Sequence, residues 1–380
     1  MISAFSKRFS SINDPRQQAK VTYSLFDVIF LTLCSVITGA EGWEDIEDFG
    51  NLHLNWLQSK NLLPDGIPAH ETIARIIARL EPEEFNQCFI NWMLDISHAF
   101  NSEIIAIDGK TLRSSYNRND RNSCVHMVSA FATKNSLVLG QIKTNEKSNE
   151  ITAIPKLLQQ LDIKGCLITI DAMGCQKEIA TNIVDNGGDY LLLVKRNQRK
   201  LHDAIKEQLS DVVLNTSSPM TIEEQHGRLD VKEYYVLDAE KLSKQFPEWA
   251  GLKTVGVAIG FQSRGTETTS LEFRYYISSA SLTSEKFAQA VRNHWMIENQ
   301  LHWVLDVTMN EDKCQIYKDN SAENLGALRH AALNMLRSEK SENKSIRRKQ
   351  RRAYADTAYL DKILGTQNEV VKSQAFTLLP

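Results

Sequence analysis

The stretch Ile104-Ile105-Ala106-Ile107-Asp108-Gly109-Lys110 decides the fold. β-Branched residues around one alanine predict a buried strand, and the acid stands where that strand emerges, just before a glycine. The run Leu167-Ile168-Thr169-Ile170-Asp171-Ala172-Met173-Gly174 repeats the pattern. If the two strands are sheet neighbours, their carboxylates lie a few ångströms apart. Close carboxylates repel, so one keeps a proton or a cation neutralises them. Mg²⁺, a hard cation that takes oxygen ligands, suits so sparse a set. Either acid alone can equally open a loop or cap a helix. Two of them at matching strand ends favour a shared site.

Working outward, apolar runs at 125–133, 137–142 and 190–194 predict further strands, and residues 151–161 and 176–185 carry helical periodicity. The resulting order is strand, strand, strand, helix, strand, helix, strand. The first three strands should form an antiparallel meander, which the later ones join in parallel through helical crossovers. This predicts an α/β fold with a ribonuclease-H-like mixed sheet flanked by helices. Residues 1–100 read as a helical N-terminal domain, with GIPAHETIARIIARL as a plain helix pair or a helix-turn-helix-like element showing Arg75 and Arg79. Catalytic-core texture spans 101–200. Residues 201–282 read as an inserted β subdomain, with GRL and SRGTET as its turns. Thr283 can cap a long helix running to about Leu305, within a core segment 283–320. A basic helical tail follows over 321–380.

That long helix holds a third acid. At about 100° per residue, Phe287, Val291, His294, His302 and Leu305 fall within about 40° of Glu298. A carboxylate at the centre of an apolar face must be protonated, paired or bound to a cation. Arg292 is a poor partner, about 120° away on the same wheel. His294, Glu298 and His302 share the face, but a 5.4 Å rise per turn spreads them too far for one zinc or iron ion. That reading would also leave Asp108 and Asp171 idle. Trp295 and Trp303 fit core or interface positions, or stacking on an unpaired base.

Composition narrows the classes. Of 380 residues, 42% are hydrophobic and 24% charged, a globular balance with a net charge of −3. Nine Lys or Arg against two Glu between Arg329 and Arg352 predict a basic arm on an acidic body. The six cysteines show no CxxC pair, which argues against a zinc ribbon or thioredoxin motif and fits a reducing cytosol. The N-terminus lacks the apolar stretch of a signal peptide. The longest apolar run, Val28 to Ile37, is half of the ~20 residues a membrane span needs. A cytoplasmic protein with no membrane contact is expected.

IAIDGKTLR around Asp108, ITIDAMGCQKEIA around Asp171 and RNHWMIENQLHWVLDVTMNED around Glu298 resemble the DDE transposases of bacterial insertion sequences. The match is to the ISAs-type group that includes the H-repeat-associated proteins. GAEGWEDIEDFG and EKSNEITAIPKLL also resemble that group. The resemblance implies that Asp108, Asp171 and Glu298 are a catalytic triad holding two Mg²⁺ ions, with Mn²⁺ as substitute. It implies strand cleavage at element ends, transfer of the 3′-OH to target DNA, and a dimer or larger assembly that brings two ends of double-stranded DNA together. The sequence departs from related transposases at His294 and Leu305, where an Arg and a Lys often stand. Lys110, Arg113, Lys195, Arg196 and Arg292 are candidates for phosphate contacts near the site. Arg347, Arg348, Lys349, Arg351 and Arg352 are candidates for duplex backbone binding. Each also has a plain solvated-surface reading. Two alternatives stay open: a catalytically silent or domesticated transposase-derived DNA-binding protein, and a cellular RNA–DNA hybrid nuclease.

Overall fold

The computed structural model describes residues 3–365 apart from 97–102, 118–119, 121–122, 145–149, 216–218, 226–227 and 265–266. The turn expected at Gly227, the centre of SRGTET, part of EKSNEITAIPKLL and the last residues of the tail lie outside the described residues.

The meander forms from β1 (Ile104–Thr111), β2 (His126–Ala132) and β3 (Leu137–Thr144), paired antiparallel. The helix Glu150–Gln159 then crosses to β4 (Leu167–Ile170), and the helix Lys177–Asp185 crosses to β5 (Asp189–Val194). β4 pairs in parallel with β1 on one side and with β5 on the other. The strand order 3-2-1-4-5 is the expected ribonuclease-H-like sheet.

The β-rich region is continuous with that sheet. β6 (Met220–Gln225), β7 (Arg228–Asp238), β8 (Thr254–Arg264) and β9 (Glu267–Ser278) form antiparallel hairpins, and β9 hydrogen-bonds to β5. One nine-stranded sheet results. Its two faces are sealed differently. Ile105, Ile107, Ile168 and Ile170 pack under both crossover helices, whereas Ala106, Phe131 and Val138 face the helical domain.

The helical domain is organised around Leu25–Thr38, buried along nearly its whole length. Ser24 caps its start through its side-chain oxygen, and Gly39 ends it at φ 105°, a left-handed conformation that suits glycine. The expected basic arm is not peripheral. Its first helix, Ser321–Ser338, is buried against Leu25–Thr38 and Pro82–Ile96, with Asn334 clasping β3 through the N–H and C=O of Val138. Only two of the nine basic residues counted there, Arg329 and Arg337, lie on this helix, whose Ala and Leu residues make the contact, so local net charge misjudged its place. Among the described residues, no single helix is long and apolar enough to cross a membrane.

Candidate active site

The last β1–β4 register pair is Ile107 with Ile170. Asp108 and Asp171 are each the next residue, so neighbouring strands, about 4.8 Å apart, deliver both acids to one sheet edge. Asp171 opens a turn in which its Oδ1 accepts from the N–H of Met173 (3.0 Å) and Gly174 (3.3 Å). Asp108 Oδ1 accepts from the N–H of Gly109 at 2.9 Å, and its Oδ2 lies 3.6 Å from His302 Nδ1. Burial and the charge of Asp171 push the Asp108 carboxyl up to about 7, against the Gly109 hydrogen bond; Glu298 and Glu150 push the same way. An acid so placed keeps its proton more readily unless a cation neutralises the site.

The third acid departs from the straight-helix expectation. Thr283 caps Ser284–His294 as predicted, its hydroxyl accepting from the N–H of Lys286. The chain then widens into a π turn over Ile297–His302 before Trp303–Val307. An extra residue in a turn rotates the later side chains relative to an α-helical wheel. Ile297 and Leu301 therefore take the buried face, and Glu298 is exposed beside Arg274. Partial desolvation and the charge of Asp171 raise the Glu298 pKa, while Arg274 pulls it down. Glu298 thus shares a field with the strand acids without occupying the apolar centre assigned to it. Among the described residues, no group of three or more His, Cys, Asp or Glu side chains is gathered closely enough to hold a metal ion. The chemistry of the three carboxylates nevertheless fits a hard cation, because each adds negative charge to a pocket where Asp108 is already strained electrostatically.

The two histidines part company. His294 Nδ1 lies 3.0 Å from Thr169 Oγ1, and burial lowers its pKa to about 4. His302 faces Asp108, and burial lowers its pKa to about 3. Serving separate partners on β4 and β1, they do not form one metal-binding face.

The basic candidates sort by accessibility. Lys195 and Arg196 are exposed just past the end of β5, on the same edge as the strand acids. Arg113 is exposed, 3.5 Å from Asp312, and Arg292 is exposed, 5.7 Å over the ring of Tyr234. Lys110 is not available to a phosphate: its side chain is 10% exposed and its ammonium pairs with Asp306 and, at 2.5 Å, with Glu311. Glu311 also lies 3.9 Å from Arg329. Burial pushes Glu311 up, but Lys110 and Arg329 outweigh it and hold the carboxyl below its usual range. In the C-terminal cluster, Arg347, Arg348 and Arg351 are exposed. Lys349 turns inward, donating to the carbonyls of Leu336 and Glu339, and Arg352 pairs with Glu342 and covers the Tyr359 ring at 4.4 Å. Alternate faces of the helix Ile346–Ala355 account for this split.

Sequence reasoning missed four residues. Arg274 lies on β9 and covers the Trp295 ring at 4.6 Å, lining a cleft of about 190 Å³ with Tyr234, Gln262, Glu272 and Arg292. Only the alternation of β9 hinted at its face. Glu311 comes after the helix in a short 3₁₀ turn and carried no periodic signal. His126 and Glu150, 24 residues apart in sequence, hydrogen-bond at 2.5 Å directly behind Gly109.

Comparison with known proteins gives the family of the chain. A family described as "Transposase DDE domain" matches residues 99–335, and one described as "DDE_Tnp_1-associated" matches residues 6–93. The chain is 50% identical over 365 residues to "H repeat-associated putative transposase YhhI" of Escherichia coli K12, covering 94% of this chain and 97% of that protein. It is 45% identical to "Putative transposase YncI" of E. coli O157:H7 over 95% and 94% of the two chains. A shorter relative, "Inactive transposase YbfQ" of E. coli K12, is 53% identical over 66 residues, 17% of this chain and 79% of that protein. Among solved structures, a piggyBac transposase synaptic complex with hairpin DNA aligns with a TM-score of 0.44 at 11% identity, over 96% of this chain and 77% of that one. With the DDE domain spanning most of its length and full-length relatives at half identity, this chain belongs to the DDE transposase family.

Proposed function

We propose that this transposase cleaves DNA at the ends of an insertion sequence and joins the freed 3′-OH to target DNA. The observation that carries the reading is the pair of acids at adjacent parallel strand ends, where Asp108 is held near pKa 7 by burial and by Asp171. Asp108, Asp171 and Glu298 would hold divalent ions, Mg²⁺ or Mn²⁺, a hard-cation role that suits an all-carboxylate set. When bound, such ions supply Lewis acidity toward phosphoryl oxygens and lower the pKa of an attacking hydroxyl or water. Asp108 and Asp171 are oriented by backbone N–H donors, so their free oxygens are aimed without side-chain rearrangement. Lys195, Arg196, Arg113 and Arg292 would contact phosphates along the same edge, and Arg347, Arg348 and Arg351 would neutralise duplex backbone. Two ends must meet for transposition, so a homo-oligomer on double-stranded DNA is part of the proposal.

A second reading, a catalytically silent DNA-binding protein, is favoured by one observation: the three acids are not gathered into a cation-ready group among the described residues. One assay separates the two. A duplex carrying the chain's own flanking DNA is incubated with Mg²⁺ or Mn²⁺ and with wild-type, Asp108→Ala, Asp171→Ala or Glu298→Gln protein. Wild-type cleavage lost in all three variants, with DNA binding intact, supports the transposase. Binding without cleavage by the wild type supports the silent protein, and cleavage by Glu298→Gln rejects the third acid.

A further inference from the structure

The EKSNEITAIPKLL segment contributes a residue that the proposed chemistry leaves unused. Glu150 begins the first crossover helix and is 4% exposed; His126 on β2 is 2% exposed. His126 Nε2 lies 2.5 Å from Glu150 Oε1, and His126 Nδ1 lies 2.9 Å from Thr111 Oγ1 on β1. With Nε2 donating to the carboxylate, Nδ1 of a neutral ring accepts the threonine hydroxyl. One imidazole thereby ties β1, β2 and the crossover helix together.

The tie closes directly on the residue after Asp108. Side chains alternate along β1: Ile107 points into the crossover-helix side and Ala106 into the other. Gly109 therefore presents its α-carbon to the same side as Ile107, while Asp108 points the opposite way. A Cβ at Gly109 would overlap Glu150 Oε1 and lie 2.6 Å from His126 Nε2. Position 109 is glycine because the histidine and the glutamate occupy the space a side chain would take. The N–H of that glycine is the donor that holds Asp108 Oδ1.

We propose that the Thr111–His126–Glu150 chain is a positioning device for Asp108. It braces β1 from the face opposite the acid and holds Gly109, whose N–H aims the Asp108 carboxylate. None of the three touches the reacting atoms on this view; they act through the β1 backbone. The proposal rests on the cleavage reading above. It predicts a defect in the chemical step rather than in DNA affinity, which scaffold damage alone would not produce.

The test compares two histidine substitutions on the element-end duplex. His126→Gln places an amide nitrogen where Nε2 was and keeps the Glu150 contact. His126→Asn reaches only the Nδ1 position and leaves Glu150 unpartnered. Removing a residue that orients a site ligand typically costs about 10- to 100-fold in activity. His126→Asn should therefore lose about that much kcat, with KM for DNA within about twofold, while His126→Gln stays within about threefold of wild type. Gly109→Ala, which forces a methyl into the pair, should match the asparagine variant and reads the same contact should His126→Asn fail to fold. Equal kcat for the glutamine and asparagine variants overturns the proposal. So does a fall confined to melting temperature and DNA affinity. A wild type that does not cleave overturns the cleavage reading and the positioning role with it. A cleaving wild type with unaffected variants overturns the positioning role alone.

Discussion

The strand acids and the helical acid are held by different physics. Asp108 and Asp171 sit one residue past a parallel register pair, so the sheet ladder itself sets their spacing, and backbone N–H groups aim them. Glu298 sits on a π turn whose buried contacts are made by Ile297 and Leu301, and its neighbour is a distant strand residue, Arg274. The first pair is fixed by hydrogen-bond geometry along a strand. The third depends on how a widened turn packs. In this fold, adjacency in a ladder delivers precision, whereas a helix delivers a carboxylate whose orientation changes with a single inserted residue.

Substitutions can break or sharpen this contrast. The largest expected effect is on the strand side: Asp108→Asn or Asp171→Asn should reduce cleavage by roughly 10⁴-fold or more, at least about 5.5 kcal/mol of transition-state stabilisation. Single-turnover cleavage with DNA binding measured in parallel checks it, and near-normal rates would remove the ladder from its central place. Next comes the clasp joining the two regions. Lys110 on β1 pairs with Asp306 and Glu311 beyond the π turn, and Glu311 is 3% exposed. Glu311→Gln leaves Lys110 paired with Asp306 but takes the facing carboxylate from buried Arg329, 3.9 Å away, so it should destabilise the fold by about 3–5 kcal/mol in urea denaturation. A loss below about 1 kcal/mol would mean that the two regions stand independently.

A finer cut swaps acid lengths. Asp108 is enclosed, and Glu298 is open, so Asp108→Glu should lose at least about tenfold more activity than Glu298→Asp, about 1.4 kcal/mol. The reverse order would make the helical acid the more tightly placed of the two. A control away from both regions separates binding from chemistry. Replacing Arg347, Arg348 and Arg351 together with Ala should lower the salt slope of DNA binding by up to about 2.7, at an unchanged rate of cleavage under saturating protein. The smallest effect belongs to Arg113, whose side chain is 81% exposed. Arg113→Ala should leave stability within about 0.5 kcal/mol of wild type by thermal melting.

Much of the fold was legible in short stretches. The isoleucine runs before Asp108 and Asp171, the strand–helix alternation and the Thr283 cap all act through neighbours in sequence, and the structure bears them out. The direction of Glu298 was not legible, because a wheel at 100° per residue assumes the α-helix that the π turn interrupts. Lys110 and Lys349 read as surface cations, since lysine usually is one. Their partners, Glu311 in one case and the carbonyls of Leu336 and Glu339 in the other, become neighbours only after the chain folds back. The helix Ser321–Ser338 looked like part of a basic arm for the same reason: its surroundings come from residues about 300 positions earlier.

Local patterning by itself determined which segments are strands and where two acids leave them, because β-branched alternation and hydrogen-bond ladders are short-range constraints. Tertiary structure alone decided which charges are free, which face a turn presents, and what stands behind Gly109. Those outcomes turn on desolvation and on side chains brought together from distant parts of the chain, and a buried charge takes whatever partner the packing brings within reach.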